Sequence, residues 1–413
     1  MEKINLDVVK ENVAKLDELG KTNQGGTSRL SYSEAWRQAQ LFVKKLMEAA
    51  GMTVERDAIG NLIGTYVGCE PKLPYLMVGS HLDTVPEGGS LDGALGVVAA
   101  IECIRTWHIS GYRPLRTVKI IGTIEEEGTL FGMGCLGSRF MAGEMTTEKL
   151  DALRDKQGKS LAAYFADQGM DYEALGKGWA QSGTLFAFLE MHVEQGYELD
   201  LSGEACAIVT DIVGIDRHWV TIRGHANHAG TTRMDRRKDA LVAAAALIQA
   251  VYQGALNSKG LYVATVGTCK VTPGATNVIP GEVELTVETR AAQDDIMEKI
   301  HRELLVLLQK LEVDYGVKAT VTQRRFAPAV SLSTTMIEAL ATAAQEMQIK
   351  VNKMPSWAGH DAKIMANIIP CGMLFVPSVN GISHSPEEAT RWSDVETGML
   401  VFRQAMQDLA AIR

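Results

Sequence analysis

Apolar positions in the first twenty residues, MEKINLDVVKENVAKLDELG, recur at helical spacing. Ile4, Val8, Val13, Leu16 and Leu19 fall roughly on one face, so the segment is predicted to be an amphipathic helix. A second such pattern, SYSEAWRQAQLFVKKLMEAAG, predicts a helix over 31–51 that stops at Gly51. The period then changes. Residues 52–56, 62–66, 75–80 and 117–123 are short strand-like runs, and 93–107 is a helix of small residues. Later runs at 185–189 and 372–377 look like further strands of the same kind, with a helix over 331–347. Strands alternating with helices predict an α/β sheet with some parallel strands.

From residue 211 the order differs. A strand over 212–223, a helix over 236–257, strands over 261–271 and 282–289, a helix over 294–315 and a strand over 317–325 give β-α-β-β-α-β, a ferredoxin-like arrangement. The expected organisation is therefore a discontinuous domain, 1–210 and 330–413, with a smaller domain, 211–329, inserted.

Composition narrows the partners. The 413 residues carry 46% hydrophobic and 22% charged side chains and a net charge of −9. That balance argues against nucleic acid or an anionic membrane as partner, because both select basic patches. The N-terminal segment is acidic throughout and lacks the apolar core of a signal peptide. The longest apolar run, 240–251, is alanine-rich, contains Gln249 and is short for a membrane span. Six cysteines are scattered without a CxxC pair, so neither a disulfide framework nor a structural zinc site is expected, and the reading is cytoplasmic.

The chemistry concentrates at predicted strand ends. EEEGTLFGMG (125–134) sets Glu125, Glu126 and Glu127 side by side after an apolar run. Like charges at adjacent positions repel, so they form a solvated loop or face something positive. Other strand ends supply His81-Leu82-Asp83, the glycine-rich GGSLDG with Asp92, Glu190-Met191-His192-Val193-Glu194-Gln195, and Gly381-Ile382-Ser383-His384-Ser385. Ligands of open α/β sheets gather at the carboxyl ends of strands. Imidazole together with carboxylate suits Zn²⁺, Mn²⁺ or Co²⁺. Each residue alone has an ordinary explanation: a structural histidine, an Asp-Gly turn, a charged surface. Their conjunction favours a metal, and a dication beside the glutamates would remove their repulsion.

At this point the motifs carry a family resemblance. GSHLDTV (79–85), GGSLDGALG (88–96), EEEG (125–128), EMHVEQG (190–196), HANHAGTT (225–232), TNVIPG (276–281), AGHDA (358–362) and GISHSP (381–386) resemble the N-carbamoyl-L-amino-acid hydrolase and allantoate amidohydrolase family, within the di-metal aminoacylase and exopeptidase superfamily. The resemblance covers nearly the whole chain. It implies a mixed-sheet di-metal hydrolase domain with an inserted ferredoxin-like dimerisation and lid domain. It implies two divalent ions per subunit, Mn, Zn, Co or Ni: His81 and His192 on one, Glu127 and His384 on the other, Asp92 bridging. Glu126 would be the general base, and Asp83 would hold the His81 imidazole in its metal-binding tautomer. Glu125 receives no role. The peptide Asp92–Gly93 would be cis.

The resemblance also implies substrate contacts. His228, directly before Ala-Gly, would stabilise the oxyanion, acting on the metal centre of the neighbouring subunit in a homodimer formed through the inserted domains. Asn277, Arg290, Gln195 and His360 would lie at the substrate, Arg290 suiting a carboxylate. His108, His218 and His301 lie outside any motif and are expected to face solvent. The implied reaction is hydrolysis of the ureido C–N bond of an N-carbamoyl-L-amino acid or allantoate, with ureidoglycolate and 3-ureidopropionate as further candidates. An aminoacylase or dipeptidase, or a non-catalytic ureido-acid-binding protein, are the alternatives. Leu130, Glu87 and Arg233 stand where the family commonly has Arg, Asn and Pro, which leaves substrate identity open.

Overall fold

The computed structural model describes residues 3–177, 179 and 184–413. Its strands, in chain order, are β1 (Thr53–Arg56), β2 (Leu62–Tyr66), β3 (Tyr75–His81), β4 (Val118–Thr123), β5 (Leu185–Val193), β6 (Ala207–Ile212), β7 (Gly214–Arg223), β8 (Tyr262–Thr272), β9 (Glu282–Ala291), β10 (Lys318–Ala327), β11 (Val330–Ser331), β12 (Asn352–Ser356) and β13 (Cys371–Val376). They form a large sheet, β1-β2-β4-β3-β5-β13-β6-β11 with β12 also paired to β6, and a four-stranded sheet, β10-β7-β9-β8. The chain divides into two compact units, residues 1–210 with 331–413 and residues 211–330.

In the larger unit, β4, β3, β5 and β13 are parallel neighbours, while β2 and β6 run antiparallel to them. The sheet is therefore mixed. β3 and β13 are buried along their whole length, which explains their continuous apolar runs in place of alternation. The four parallel strands all end at one edge of the sheet. β5 continues to Val193, past the expected end at 189, so His192 is a strand residue opposite Phe375. The helix Ala94–Ile109 lies against β3 and β5. Gly96 permits that approach, since a Cβ there would sit 2.1 Å from the Met191 carbonyl.

The N-terminal helix, Leu6–Glu18, starts where the Asn5 side chain accepts the N–H groups of Asp7 and Val8. It buries Val9, Val13 and Leu16, a face one residue over from the expected Val8. On the helix Glu34–Ala49, capped by Ser33, Trp36 is fully buried among Tyr32, Ile59, Ile124, Phe140 and Phe165. Part of that cluster comes from three short helices, Leu136–Met141, Thr147–Ala152 and Leu161–Gln168. Each is too short to show a helical period, so the pattern of apolar positions does not single them out.

The smaller unit has the β-α-β-β-α-β order, all neighbours antiparallel. The helices Ala240–Asn257 and Asp294–Tyr315 bury one face of its sheet over Val220, Ile222, Leu247, Leu285 and Leu308. The first helix begins at Ala240 and not 236, because the Asp239 carboxylate accepts the N–H groups of Leu241 and Val242. At 18 residues and a mean hydropathy of 1.4 it is, among the described residues, the one helix long and apolar enough to cross a membrane. It nevertheless contributes Ala240, Ala243, Ala244 and Leu247 to this core.

One expectation fails here. His218 does not face solvent: it is 1% exposed, and its Nε2 lies 2.8 Å from His301 Nδ1. The alternation of β7 puts it on the helix-covered face, with Asp216, Val220 and Ile222.

Trp36→Ala removes the largest side chain of the aromatic cluster and is expected to cost about 3–5 kcal/mol of stability, read from urea unfolding followed by circular dichroism. A loss below about 1 kcal/mol would mean that the cluster does not hold this part of the unit.

Candidate metal centre

At the carboxyl ends of the parallel strands, side chains from β3, β5 and the loops after β4 and β13 converge on Asp92. His81 Nε2 and His192 Nε2 each lie 3.1 Å from Asp92 Oδ1, and 3.4 Å from each other. On the other oxygen, His384 Nε2 lies 3.1 Å from Asp92 Oδ2 and 3.3 Å from Glu127 Oε1. Two donor clusters, His81–Asp92–His192 and Asp92–Glu127–His384, thus share one carboxylate. Two ligands about 2.0–2.1 Å from one tetrahedral ion lie about 3.3 Å apart, so the observed spacing fits metal ligation. Glu127 Oε1 is buried, and no hydrogen bond reaches it despite the nearby imidazole. A donor set of three imidazoles and two carboxylates with an orphaned buried oxygen fits divalent ions.

The electrostatics lead the same way. Burial alone raises the Asp92 carboxyl, but His192, His384 and His81 together hold it well below the usual carboxylate range. Asp92 and Glu127, both facing its Nε2, push the His384 imidazole up to about 10. An ion bound there must displace that proton, since only the neutral ring offers a lone pair.

Backbone groups fix the imidazoles. His81 Nδ1 lies 3.0 Å from the Asp83 carbonyl oxygen, and His192 Nδ1 lies 2.8 Å from that of Val193. Both rings therefore carry the proton on Nδ1 and turn Nε2 toward Asp92. This corrects the role expected for Asp83. Its carboxylate is 3.8 Å from His81 Nδ1 and instead accepts the N–H groups of Glu126 (3.1 Å) and Glu127 (3.2 Å). Asp83 orients the glutamate loop, while its own carbonyl orients the histidine. The expected cis peptide is also absent: Asp92–Gly93 is trans, and among the described residues Thr272–Pro273 alone is cis. Gly93 takes φ +66, and a Cβ there would lie 2.4 Å from the His81 ring.

The three glutamates separate by direction. Glu127 joins the Asp92–His384 cluster. Glu126 is buried, with Oε2 3.9 Å from His81 Nε2 and Oε1 receiving the Cys135 thiol at 3.3 Å. Burial, with Glu127 adding to it, raises the Glu126 carboxyl well above its ordinary value, against the pull of His81. Glu125, given no role in the sequence, is fully buried and accepts the N–H groups of Leu130 (2.6 Å) and Phe131 (3.0 Å), which closes the loop.

Gln195 Nε2 donates to Asp92 Oδ2 at 2.8 Å, from a residue at φ +63. His360 is buried with its ring centroid 4.6 Å from that of His192 and Nε2 2.8 Å from Ser356 Oγ. Burial holds it neutral. In the smaller unit, His228 and Val278 pair as an isolated bridge, and Ala229 N donates to Asn277 O at 2.9 Å, so His228 and Asn277 come together. His228 Nδ1 accepts the N–H groups of Gly230 (3.0 Å) and Thr231 (3.2 Å). Its proton is thereby fixed on Nε2, which becomes an outward donor. Arg290 is not brought to them. It pairs with Glu288 Oε1 at 2.9 Å near the far end of β9, opposite Ile215, whereas the Asn277 loop enters β9 at Glu282. Eight strand residues span about 26 Å, too far for one small ligand to touch both within the unit.

The departures resolve locally. Leu130 packs beside the Trp36 cluster, Glu87 accepts the Thr22 hydroxyl at 2.6 Å, and Arg233 pairs with Asp235 on the surface.

Glu388 was not legible in the sequence. Buried, it accepts the N–H groups of Leu91 (2.9 Å) and Asp92 (3.0 Å) on Oε1 and the Ser383 hydroxyl (2.7 Å) on Oε2. It joins the Asp92 loop to the His384 loop, and Gly89 leaves it room, because a Cβ there would sit 2.2 Å from its Oε1. Nothing nearby in sequence announces a carboxylate facing backbone 296 residues away. Glu388→Ala is expected to weaken metal binding about 10–100-fold, measured by competition with a chromophoric chelator, and Glu388→Gln, which keeps the backbone acceptor, much less. Equal losses in both variants would assign the effect to charge and not to the clamp.

Comparison with known proteins gives the chain a family. The model of peptidase family M20/M25/M40 matches residues 77–408. The chain is 36% identical over 384 residues to an N-carbamoyl-L-amino-acid amidohydrolase of Paenarthrobacter aurescens, covering 93% of each chain. It is 33% identical over 416 residues to an allantoate amidohydrolase of Bacillus subtilis, covering 99% of this chain and 100% of the other. Among solved structures, an amidase of the hydantoinase/carbamoylase family from Burkholderia multivorans superposes with a TM-score of 0.92 at 29% identity, covering 99% of both chains. With the shared fold, the full-length matches and the histidine–carboxylate centre together, the chain belongs to peptidase family M20/M25/M40, alongside these amidohydrolases.

Proposed function

We propose that this protein is a metal-dependent amidohydrolase that cleaves the ureido C–N bond of an N-carbamoyl-L-amino acid or of allantoate. The products are the free amine, ammonia and carbon dioxide, which balances one ureido group and one water. The observation that carries the reading is the single carboxylate, Asp92, shared by two donor clusters, with Glu126 beside them 3.9 Å from His81.

His81, His192 and Asp92 would hold one ion, and Asp92, Glu127 and His384 the other. Such a pair would supply Lewis acidity and would lower the pKa of a bound water toward neutrality. Glu126 takes the proton of the attacking water and returns it to the leaving nitrogen. The Cys135 thiol occupies Oε1 of that carboxylate and leaves Oε2 for the proton transfer. Gln195 steadies Asp92, and His360 packs on the His192 ring, so both border the substrate.

His228 offers Nε2–H to the developing oxyanion and Arg290 offers its guanidinium to the substrate carboxylate. Their separation on the inserted sheet supports a reading in which His228 acts on the metal centre of the neighbouring subunit of a homodimer. The surface of the smaller unit supports the same reading. β8 is an edge strand that exposes Val263, next to a helix that exposes Val242, Tyr252 and Leu256. Six unpaired cysteines suit a reducing, cytoplasmic compartment.

Metal-depleted protein reloaded with Mn²⁺, Zn²⁺ or Co²⁺ is expected to release ammonia from one of allantoate, N-carbamoyl-L-amino acids, ureidoglycolate or 3-ureidopropionate, and not from an N-acetyl amino acid. Glu126→Gln should lower that rate about 10²–10⁴-fold. Turnover of the acetyl control alone would move the protein to the acyl-amide hydrolases. Sedimentation velocity should give twice the chain mass of 44.8 kDa, and Val242→Glu should shift it to one. A monomeric wild type would sink the shared-site reading of His228.

A further inference from the structure

Asp216 and His218 stand two residues apart on β7, so both leave the same face of the strand. That face is helix-covered, and Val220 and Ile222 continue it with apolar packing. Asp216 is 0% and His218 1% exposed. A core does not hold a bare carboxylate and imidazole without compensation. Arg324 supplies part of it, with Nε 3.0 Å from Asp216 Oδ1 and Nη2 2.9 Å from Oδ2, and Glu298 accepts Nη2 at 2.6 Å. A carboxylate has about four lone-pair sites, so Oδ1 keeps one, and it lies 3.6 Å from His218 Nε2. From the helix Asp294–Tyr315, His301 brings Nδ1 to 2.8 Å from the same Nε2, the two rings nearly coplanar at 10°. Two carboxylates against one guanidinium leave the cluster one negative charge.

We propose that Asp216, His218 and His301 form a further metal site, in the inserted unit, for a divalent transition ion of the zinc type. Two imidazoles and a carboxylate with a position left to water is a donor set that Zn²⁺ and Co²⁺ accept. A proton shared between the two rings is the competing state, because ion and proton use the same lone pairs. Taking up the ion spreads the nitrogens from 2.8 Å toward about 3.3 Å. His301, half-buried on a helix surface, is the ring that moves.

The other ring nitrogen provides the second, independent observation. His218 Nδ1 is buried and has no hydrogen-bond partner. His218 also lines a cavity of about 100 Å³ walled by Val251, Gly254, Ile300 and Leu307. An ion on Nε2 places the proton on Nδ1, and the cavity has room for a water to accept it. Metal-bound histidines commonly donate their second N–H in this way.

The test uses the full chain, metal-depleted, loaded with Zn²⁺, desalted and counted for zinc by mass spectrometry. Wild type is expected to retain one more zinc per chain than His301→Ala or His301→Asn. In a background whose Asp92 centre is disabled by His81→Ala with His384→Ala, Co²⁺ should still give the visible absorption of tetrahedral cobalt, and adding His301→Ala should abolish it. Equal zinc in wild type and both His301 variants, or a cobalt band that is missing or indifferent to His301→Ala, overturns the site. Ammonia release is a separate reading, so failure here leaves the Asp92 centre untouched.

Discussion

Asp92 is a carboxylate almost withdrawn from water, with three imidazoles and an amide turned toward its two oxygens. An isolated buried charge is expensive, so everything around it is arranged to oppose that cost. Two strands deliver histidines at their carboxyl ends, and a third histidine arrives on a loop at φ +54. Glu388 holds the Asp92 backbone from behind, and Gly93 clears the space that the His81 ring fills. Removing the convergence would leave a negative charge in the core of the larger unit.

Around that anion lies a second layer of buried acids. Burial raises Asp83 to about 7 and Glu190 to about 7, and it raises Glu125 and Asp361 as well. Each has found backbone or hydroxyl donors: Asp83 the glutamate loop, Glu190 the Ser80 hydroxyl and the Ala362 N–H, Asp361 the Thr123 hydroxyl. These contacts give each carboxylate a direction, so that Glu127 turns toward Asp92 and His384 while Glu126 turns toward His81 and Cys135. The excess of acid over base in this pocket is a charge that divalent ions would neutralise.

The inserted unit follows different physics. Its core is small and mostly aliphatic, covered on one side of a four-stranded sheet by two helices. Into that core the chain places Asp216, His218 and, from the helix, His301, where apolar side chains would pack at no polar cost. The Arg324 fork explains the carboxylate, whereas the imidazole pair with its unpartnered nitrogen asks for something more.

Much of this was set by the chain alone. Helical and strand periods located most strands, because apolar spacing is a local property of buried faces. The histidines and acids at strand ends were legible as a centre, since few uses other than a metal gather them so often. Folding decided what local pattern cannot encode. It alone showed that Asp83 holds the Glu126 and Glu127 backbone while its carbonyl holds His81, and that Glu125 closes a loop. It brought Glu388 across 296 residues to Asp92, and it turned His218 into a core residue. A side chain's partners depend on which elements pack against it, and those contacts come from parts of the chain far apart in sequence.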